Sequence, residues 1–514
     1  NRLCVSMAPL SSTRVGWKGP FSRMIISRTL PQKIILTMAI ILTGFGVWAN
    51  STKPTNLVVI MTDNHGAWTL GCYGNPDIRT PNIDRLAEEG ARFTGCYSVN
   101  GVCSPTRASF LTGLLPCQHG VHCYLHSQNL QVGPKAASTL EDLTSLPEVL
   151  SEAGYQCGLV GKWHLGNNLE PQEGFSEWIT MPHGATSRFY DAEIIENGEI
   201  KEYPGYLTDL WTERAVQFIE THQEKPFFLF LSYNGPYGLG GHLSREARNR
   251  HAGYYSEKEL PSFPRRDPHP WLLNNRQFIN NPVSIRRYAS ELSGVDDGVG
   301  EVLETLERLG LDENTLILFT ADQGWVGGQG GFWGMGDHTR PITAYDGMLQ
   351  VPLILRQPGR IPEETTSDIL VSTYDLMPTV LSYLDLGEEM PKEPESPGRD
   401  FSGALSGEPI PWKNEVFYEF ENTRAIRTDE WKYIERTPYG PDELYHVSED
   451  PGEETNLIHH LDRRETGKEL RARLHEFFDR YADPRYDLWK GGGSKTKLLV
   501  FDAKVVEPPF ERRQ

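Results

Sequence analysis

Four short stretches of the chain are almost purely apolar and stop abruptly at polar residues. Asn56–Thr62 (NLVVIMT) runs into Asp63-Asn64, and Thr315–Thr320 (TLILFT) runs into Ala321-Asp322-Gln323. Phe227–Ser232 (FFLFLS) and the shorter Gln156–Val160 complete the set. An unbroken apolar run rich in β-branched residues suits a strand covered on both faces, as in a parallel sheet. Between these runs lie helical patterns. One starts at Thr80 as N-cap with Pro81 at N1 and runs to Gly90; another spans Ser284 to about Gly310. The alternation predicts an α/β fold with helices on both faces of a mostly parallel sheet. Ligand sites in such sheets gather at the carboxyl ends of the strands, which is where the polar clusters fall.

The pattern changes toward both termini. A Pro- and Glu-rich stretch from Glu388 to Pro397 reads as a linker. Beyond it, Thr423–Ile434 alternates as a strand does and Glu443–Tyr445 begins another, predicting a small antiparallel sheet. The expected organisation is a catalytic domain over 50–387, a linker region over 388–410 and a C-terminal subdomain over 411–514. The first 49 residues hold six basic side chains and no Asp or Glu, followed by an apolar run from Ile34 to Trp48 and then Ala49. That is the order of an export signal cut after Ala49, which predicts a periplasmic or secreted protein with no stable membrane span in the mature chain.

Composition narrows the partners. With 514 residues, 38% of them apolar, the chain can bury a large core in more than one structural unit. Its formal charge of −19 would become −25 without the six basic residues of the signal, which argues against nucleic acid or an acidic membrane as a partner. Any attraction for an anion must therefore be local. Of the seven cysteines, Cys4 lies in the signal segment, and no CxxC or paired Cys/His spacing suggests structural zinc. An oxidising compartment permits disulfides among Cys72, Cys96, Cys117, Cys123 and Cys157, and spacing does not fix their pairing.

The densest chemical signal is Val102-Cys103-Ser104-Pro105-Thr106-Arg107 followed by Leu111-Thr112-Gly113. Ser104 is expected as an N-cap and Pro105 as N1, so that a helix begins just after Cys103 and turns its unpaired N–H groups toward an anion. Arg107, one turn on, directs a guanidinium fork to the same place. In a second cluster, Gly161-Lys162-Trp163-His164, Lys162 and His164 follow a short strand at alternating positions and so point the same way. The spacing around Gly161-Lys162 is not that of a phosphate-binding P-loop.

Cys-x-Pro-x-Arg with Leu-Thr-Gly resembles the signature of type I sulfatases, and Gly154–Gly166 is similar to that family's second signature. Leu70–Gly74, Thr80–Ala87, Lys432–Ile434, Glu443–Tyr445 and Asp450–Leu457 extend the likeness over nearly the whole chain after the signal. The resemblance implies the alkaline-phosphatase-like sandwich and a sulfuric ester hydrolase acting on a sulfated small molecule or glycan. It also implies that a maturation enzyme oxidises Cys103 to formylglycine. One hydroxyl of its hydrate then attacks sulfur, and the other loses its proton and expels sulfate. Lys162 and His164 would touch the sulfate and the formylglycine.

Asp63 and Asp322 close two strands, where a hard cation finds oxygen ligands. The resemblance implies calcium, with magnesium as the alternative, held by Asp63, Asn64, Asp322, Gln323 and the matured Cys103. The sequence departs from the family at both pairs, since an Asp-Asp pair is usual at the first and Asp-Asn or Asp-His at the second. It departs again at the leaving-group side. Pro236 is followed by Tyr237 where the family places a histidine, with His242 nearby, and Pro341 falls where the family places a lysine. Arg340 is the expected replacement cation, and His338 the expected proton donor. His119, His122 and His126 are expected to pack or to bond within loops, and Trp325 and Trp333 either to stack on a sugar or to fill the core. Two alternatives remain at this point: a phosphonate or phosphate monoester hydrolase on the same fold, and a non-catalytic sulfated-glycan binding protein.

Overall fold

The structure is a computed structural model that describes residue 16 and residues 53–126, 128–184 and 188–510. The described residues from Lys53 to Phe510 belong to one compact unit, and all but Gly16 of the expected signal segment lies outside the described residues. Among the described residues no helix is long and apolar enough to cross a membrane.

All four apolar runs are strands. β1 (Asn56–Asp63), β3 (Gln156–Gly161), β7 (Phe227–Pro236) and β8 (Thr315–Ala321) lie side by side and parallel at the centre of a ten-stranded sheet. The sheet is completed by β2 (Ala91–Tyr97), β4 (Glu177–Thr180), β5 (Tyr190–Glu196), β6 (Glu199–Tyr206), β11 (Leu353–Arg356) and β12 (Thr365–Ser372). The order is β12-β2-β11-β8-β1-β7-β3-β4-β5-β6, with β11 and β5 running against their neighbours.

The two-residue period divides each central strand between two cores. Val58 and Ile60 of β1, with Leu229 and Leu231 of β7, face the helices α3 (Leu207–His222) and α4 (Pro282–Leu309) through Trp211, Phe218, Val295 and Val299. Leu57, Val59 and Met61, with Phe228 and Phe230, face the other way onto Phe110, Leu111, Leu150 and Val380. Of the helices foreseen, α1 (Pro81–Glu88) starts with Pro81 at its first position. α4 is capped by Asn281, whose side chain accepts from the N–H groups of Val283 and Ser284, and closed by Gly310 at φ 65°.

The C-terminal alternation is a hairpin rather than one long strand. β14 (Thr423–Thr428) and β15 (Trp431–Arg436) are joined at Asp429-Glu430, with β13 (Glu415–Phe420) and β16 (Glu443–His446) on either side, all antiparallel. α5 (Arg464–Tyr481) covers this sheet, setting Leu470, Leu474 and Phe478 at helical spacing against Phe417, Ile426 and Tyr433. After the Pro- and Glu-rich stretch the chain buries Phe401, Ala404 and Leu405 in the second core of the large sheet.

Candidate active site

The carboxyl edge of the central strands carries the charged residues. Asp63 is the last residue of β1 and Asn64 follows it in the left-handed region at φ 55°, a turn that Asn tolerates better than most side chains. Asp322 and Gln323 follow β8, and Lys162 follows β3. The helix α2 (Cys103–Thr112) lies across these ends with every residue buried.

The cap of α2 differs from the expectation. Val102 is the N-cap and Cys103 the first helical residue. Pro105 does not mark N1, because the first turn has no intrahelical acceptor for its N–H groups and proline is tolerated throughout it. Ser104 turns its hydroxyl instead to the carbonyl of His164 (2.8 Å) and accepts from the Leu125 N–H (3.2 Å). The loop before the helix is pinned by Asn100, whose Oδ1 accepts from Val102 N–H (2.9 Å) and whose Nδ2 donates to the Glu419 carbonyl on β13 (2.6 Å). The small sheet thus fixes the entry to the helix that carries Cys103.

Cys103 Sγ lies 3.6 Å from Asp63 Oδ1 and 3.5 Å from Gln323 Nε2. Ligand atoms of Asp63, Cys103 and Asp322 fall within 4.8 Å of one another, the one such gathering of His, Cys, Asp or Glu among the described residues. Two buried cations answer the two carboxylates. Lys162 Nζ is 2.5 Å from Asp63 Oδ2, and Arg107 Nε donates to Asp322 Oδ2 at 2.9 Å. Arg107 Nη1 also donates to the Lys162 carbonyl (2.8 Å) and to Ser232 Oγ (2.6 Å), so its fork is fixed on three sides. Ser232 was not foreseen from sequence, nor was Tyr288, whose hydroxyl donates to the Asn64 carbonyl (3.0 Å).

Electrostatics follow from this enclosure. Burial, and then the neighbouring Asp322, push the Asp63 carboxyl up to about 6 against the pull of Lys162 and Arg107. Burial and Asp63 hold the Cys103 thiol well above its ordinary value. Burial works against the Lys162 charge, but Asp63 outweighs it and the ammonium sits above its usual range. Burial, with Lys162 and Arg107 close by, holds His164 well below its ordinary value, so its ring is neutral.

The donor set fits a hard divalent cation. Asp63, Asn64 and Asp322 offer oxygens to one point, and Gln323 Nε2 donates toward Asp63 Oδ1 (3.1 Å) and toward Asn64 Oδ1. Gln323 Oε1 is buried with no hydrogen-bond partner; turning the amide over brings that oxygen to the same centre. Five candidate ligands therefore converge here: Asp63, Asn64, Cys103, Asp322 and Gln323.

A cleft of about 600 Å³ opens onto Cys103, lined by His164, Tyr124, Tyr237, Leu239, Gly240, Met335, Asp337, His338 and the segment Leu273–Gln277. Lys162 and His164 do not alternate along a strand as expected, since Gly161 (φ 106°) and His164 (φ 65°) turn the backbone. His164 nonetheless lines the cleft, with its Nε2 on the Leu125 carbonyl (3.2 Å). Tyr237 has the Lys162 ammonium 5.7 Å from its ring centre, and burial together with Asp63 raises its phenol well above its ordinary value. His242 sits behind it with both ring nitrogens buried and without hydrogen-bond partners. Arg340 is not among the lining residues; its guanidinium donates to the carbonyls of Asp337 (2.9 Å) and Thr339 (2.7 Å).

The histidines and tryptophans outside this centre have structural surroundings of their own. His119 Nε2 meets Ser109 Oγ (3.0 Å), His122 Nδ1 meets Ser494 Oγ (3.3 Å), and the His126 ring lies against Tyr124 at a tilt of 35°. Trp325 and Trp333 are fully buried, Trp325 stacked on Tyr288 at 4.0 Å, which leaves neither for a sugar. The six cysteines among the described residues are all free.

Comparison with known proteins agrees with this geometry. The sulfatase family profile matches residues 55–386, and one described as N-sulphoglucosamine sulphohydrolase, C-terminal, matches residues 335–480. An N-acetylglucosamine-6-O-sulfatase of Bacteroides thetaiotaomicron is 26% identical, covering 94% of this chain and 96% of its own. The N-acetylgalactosamine-6-sulfatase of Canis lupus familiaris is 29% identical over 76% of this chain and 73% of its own. A solved structure in complex with its substrate D-glucosamine-2-N,6-O-disulfate superposes with a TM-score of 0.65 at 25% identity, covering 84% of this chain and 98% of that one. A strand-end carboxylate pair, a helix-borne Cys103 and a matching profile over most of the chain agree: the protein is a sulfatase, a member of the type I family in the alkaline-phosphatase-like superfamily.

Proposed function

We propose that the protein is exported and removes a 6-O-sulfate from an N-acetylhexosamine unit of a sulfated glycan, using formylglycine made from Cys103 and a bound calcium ion. The observation that carries this reading is the buried meeting of Cys103 with Asp63, Asp322, Arg107 and Lys162 at the foot of an open cleft. The amino-sugar preference is supported by the substrates named for two relatives and one structural neighbour. Residues 1–49 are the export signal and 50–387 the catalytic domain in this reading; 388–410 is the linker and 411–514 the subdomain that pins the nucleophile loop.

When bound, the cation neutralises sulfate oxygens, and the matured side chain supplies the attacking oxygen. The protein's own groups do the rest. Arg107 and Lys162 fix the sulfuryl group by charge-assisted hydrogen bonds, and the start of α2 adds the positive end of its dipole. His164, held neutral, hydrogen-bonds at the nucleophile. Tyr237 donates its phenolic proton in a hydrogen bond without giving it up. His338 stands on the leaving-group side of the cleft, and Arg340 braces the turn that carries it.

The test is sulfate release from 6-O-sulfo-N-acetylglucosamine by protein co-produced with a formylglycine-generating enzyme. Release that depends on added calcium and is lost in Cys103→Ala supports the reading. Faster turnover of the matched phosphate ester contradicts it.

A further inference from the structure

The family's leaving-group histidine and lysine are both missing from this chain, so the proton for the departing oxygen has to come from elsewhere in the cleft. Among the lining side chains, Tyr124 and Tyr237 are phenols, which keep their protons near neutral pH, and His164 has its Nε2 on the Leu125 carbonyl at 3.2 Å. His338 remains. Its Nδ1 lies 2.5 Å from Asp337 Oδ1, a close contact of imidazole and carboxylate in which neither atom makes a hydrogen bond as placed, and both residues line the cleft that opens onto Cys103. Closing that contact into a hydrogen bond at Nδ1 leaves Nε2 as the ring nitrogen for substrate. A carboxylate in that position fixes the tautomer and the orientation of the ring, as in other carboxylate–histidine pairs.

The turn bearing the pair is unusually well held. Leu272 bridges Thr339 in antiparallel fashion, Leu273 N–H donates to the His338 carbonyl (2.8 Å), and Arg340 N–H donates to the Trp271 carbonyl (2.9 Å). Arg340 closes the other side through the carbonyls of Asp337 and Thr339. Glycine is required twice beside it. A Cβ at Gly334, already at φ 118°, would stand 3.1 Å from His338 Nδ1, and one at Gly336 would stand 2.5 Å from the Thr343 carbonyl. The strap that clips the turn in place continues as Leu273–Gln277 along the cleft wall, so the donor and the leaving-group contacts are set by one piece of backbone.

We propose that Asp337 and His338 form a carboxylate–imidazole dyad that protonates the leaving oxygen, His338 as the catalytic acid and Asp337 as its positioning residue. The proposal rests on sulfate-ester cleavage at Cys103. As the sulfuryl group passes to the nucleophile, the bond between sulfur and the ester oxygen breaks and its electron pair stays on that oxygen. The oxygen takes the proton from His338 Nε2 and the alcohol leaves neutral; the attacking hydroxyl releases one proton to solvent and the imidazole takes one back from solvent, so the protons balance.

The test compares phenyl sulfate, whose phenolate leaves poorly, with 4-nitrophenyl sulfate, whose phenolate leaves unaided. In His338→Gln, kcat/KM for phenyl sulfate should fall by about 10²–10⁴-fold and that for 4-nitrophenyl sulfate by less than about tenfold. Asp337→Asn should show the same ordering at smaller amplitude, with Asp337→Glu recovering part of the loss. Because 4-nitrophenyl sulfate turnover reports folding and sulfate binding, a fall of equal size on both esters overturns the dyad, as does no fall on either. Sulfate release from 6-O-sulfo-N-acetylglucosamine by the same matured wild-type preparation is measured alongside: its absence, together with failure on both aryl esters, removes the sulfatase reading beneath the dyad rather than the dyad itself.

Discussion

In the proposed reading the cleft has a sulfate end and a leaving-group end that meet at Cys103, and the two are made of different material. The sulfate end is regular structure: Asp63 closes β1, Asp322 follows β8, Lys162 follows β3, and Arg107 projects from α2, all fully buried. The leaving-group end is irregular. It is built from a glycine-rich turn, a strap bridged to it from 67 residues upstream, and a tyrosine at φ 41°. Packing of a parallel sheet between two helical layers sets the first end, so its geometry is tied to the core. Backbone hydrogen bonds between loops set the second, which therefore can vary while the sulfate seat stays the same. On this reading, the division lets a sulfatase keep its nucleophile loop intact while the residues at the leaving-group end change.

The comparison predicts that damage at the sulfate end is indifferent to the leaving group. Cys103→Ala should remove at least about 10³-fold of kcat on aryl and sugar sulfates alike, the scale seen when a nucleophile is deleted. Initial-rate assays on both substrates decide this. Arg107→Ala should also damage the fold, because it strands Asp322 buried without its main partner. A loss of about 3–5 kcal/mol is expected by urea denaturation, together with equal loss on both esters. A cost near zero would mean that the pair is not enclosed as described.

At the other end the effect should be selective. Gly334→Ala sets a Cβ 3.1 Å from the His338 ring at a backbone position of φ 118°, and the resulting misplacement of the ring should cost up to about 10²-fold. That loss should appear with phenyl sulfate and hardly at all with 4-nitrophenyl sulfate. Chelation of the proposed calcium ion belongs with the sulfate end: it should abolish turnover of both esters and lower Tm. At about 100 times Kd of free calcium, the restored stability should be about 2.7 kcal/mol. The smallest effect is expected on the surface. Breaking the exposed pair Arg248–Asp191 by Arg248→Ala should change stability by about 0–1 kcal/mol and leave both activities alone.

The same division decides what the sequence disclosed. Strand ends are legible, because an apolar run that stops at Asp63-Asn64 or at Asp322-Gln323 announces both the strand and the site beyond it. Cys103, Arg107 and Lys162 came with local motifs, and the structure gathers them. Legibility failed where a local rule had two outcomes. Ser104-Pro105 looks like a cap, but proline fits any position of a first turn, and Ser104 found a tertiary partner. The alternation from Thr423 to Ile434 fits a strand or a hairpin, and Asp429-Glu430 makes it a hairpin. Position alone points to Arg340 as the replacement cation, whereas its side chain turns back to its own loop. The strap could not be read at all: Leu272 and Thr339 carry no motif, and only the folded chain brings them together.

The account stands on an oxidised side chain at position 103, surrounded by two carboxylates, a guanidinium and an ammonium. Mass spectrometry of the peptide spanning Val102–Arg107, taken from active protein exported by its native host, addresses this directly. An aldehyde or its hydrate at position 103, at a level that tracks specific activity across preparations, is the predicted result. A fully unmodified Cys103 thiol in protein that still turns over sulfate esters would contradict it.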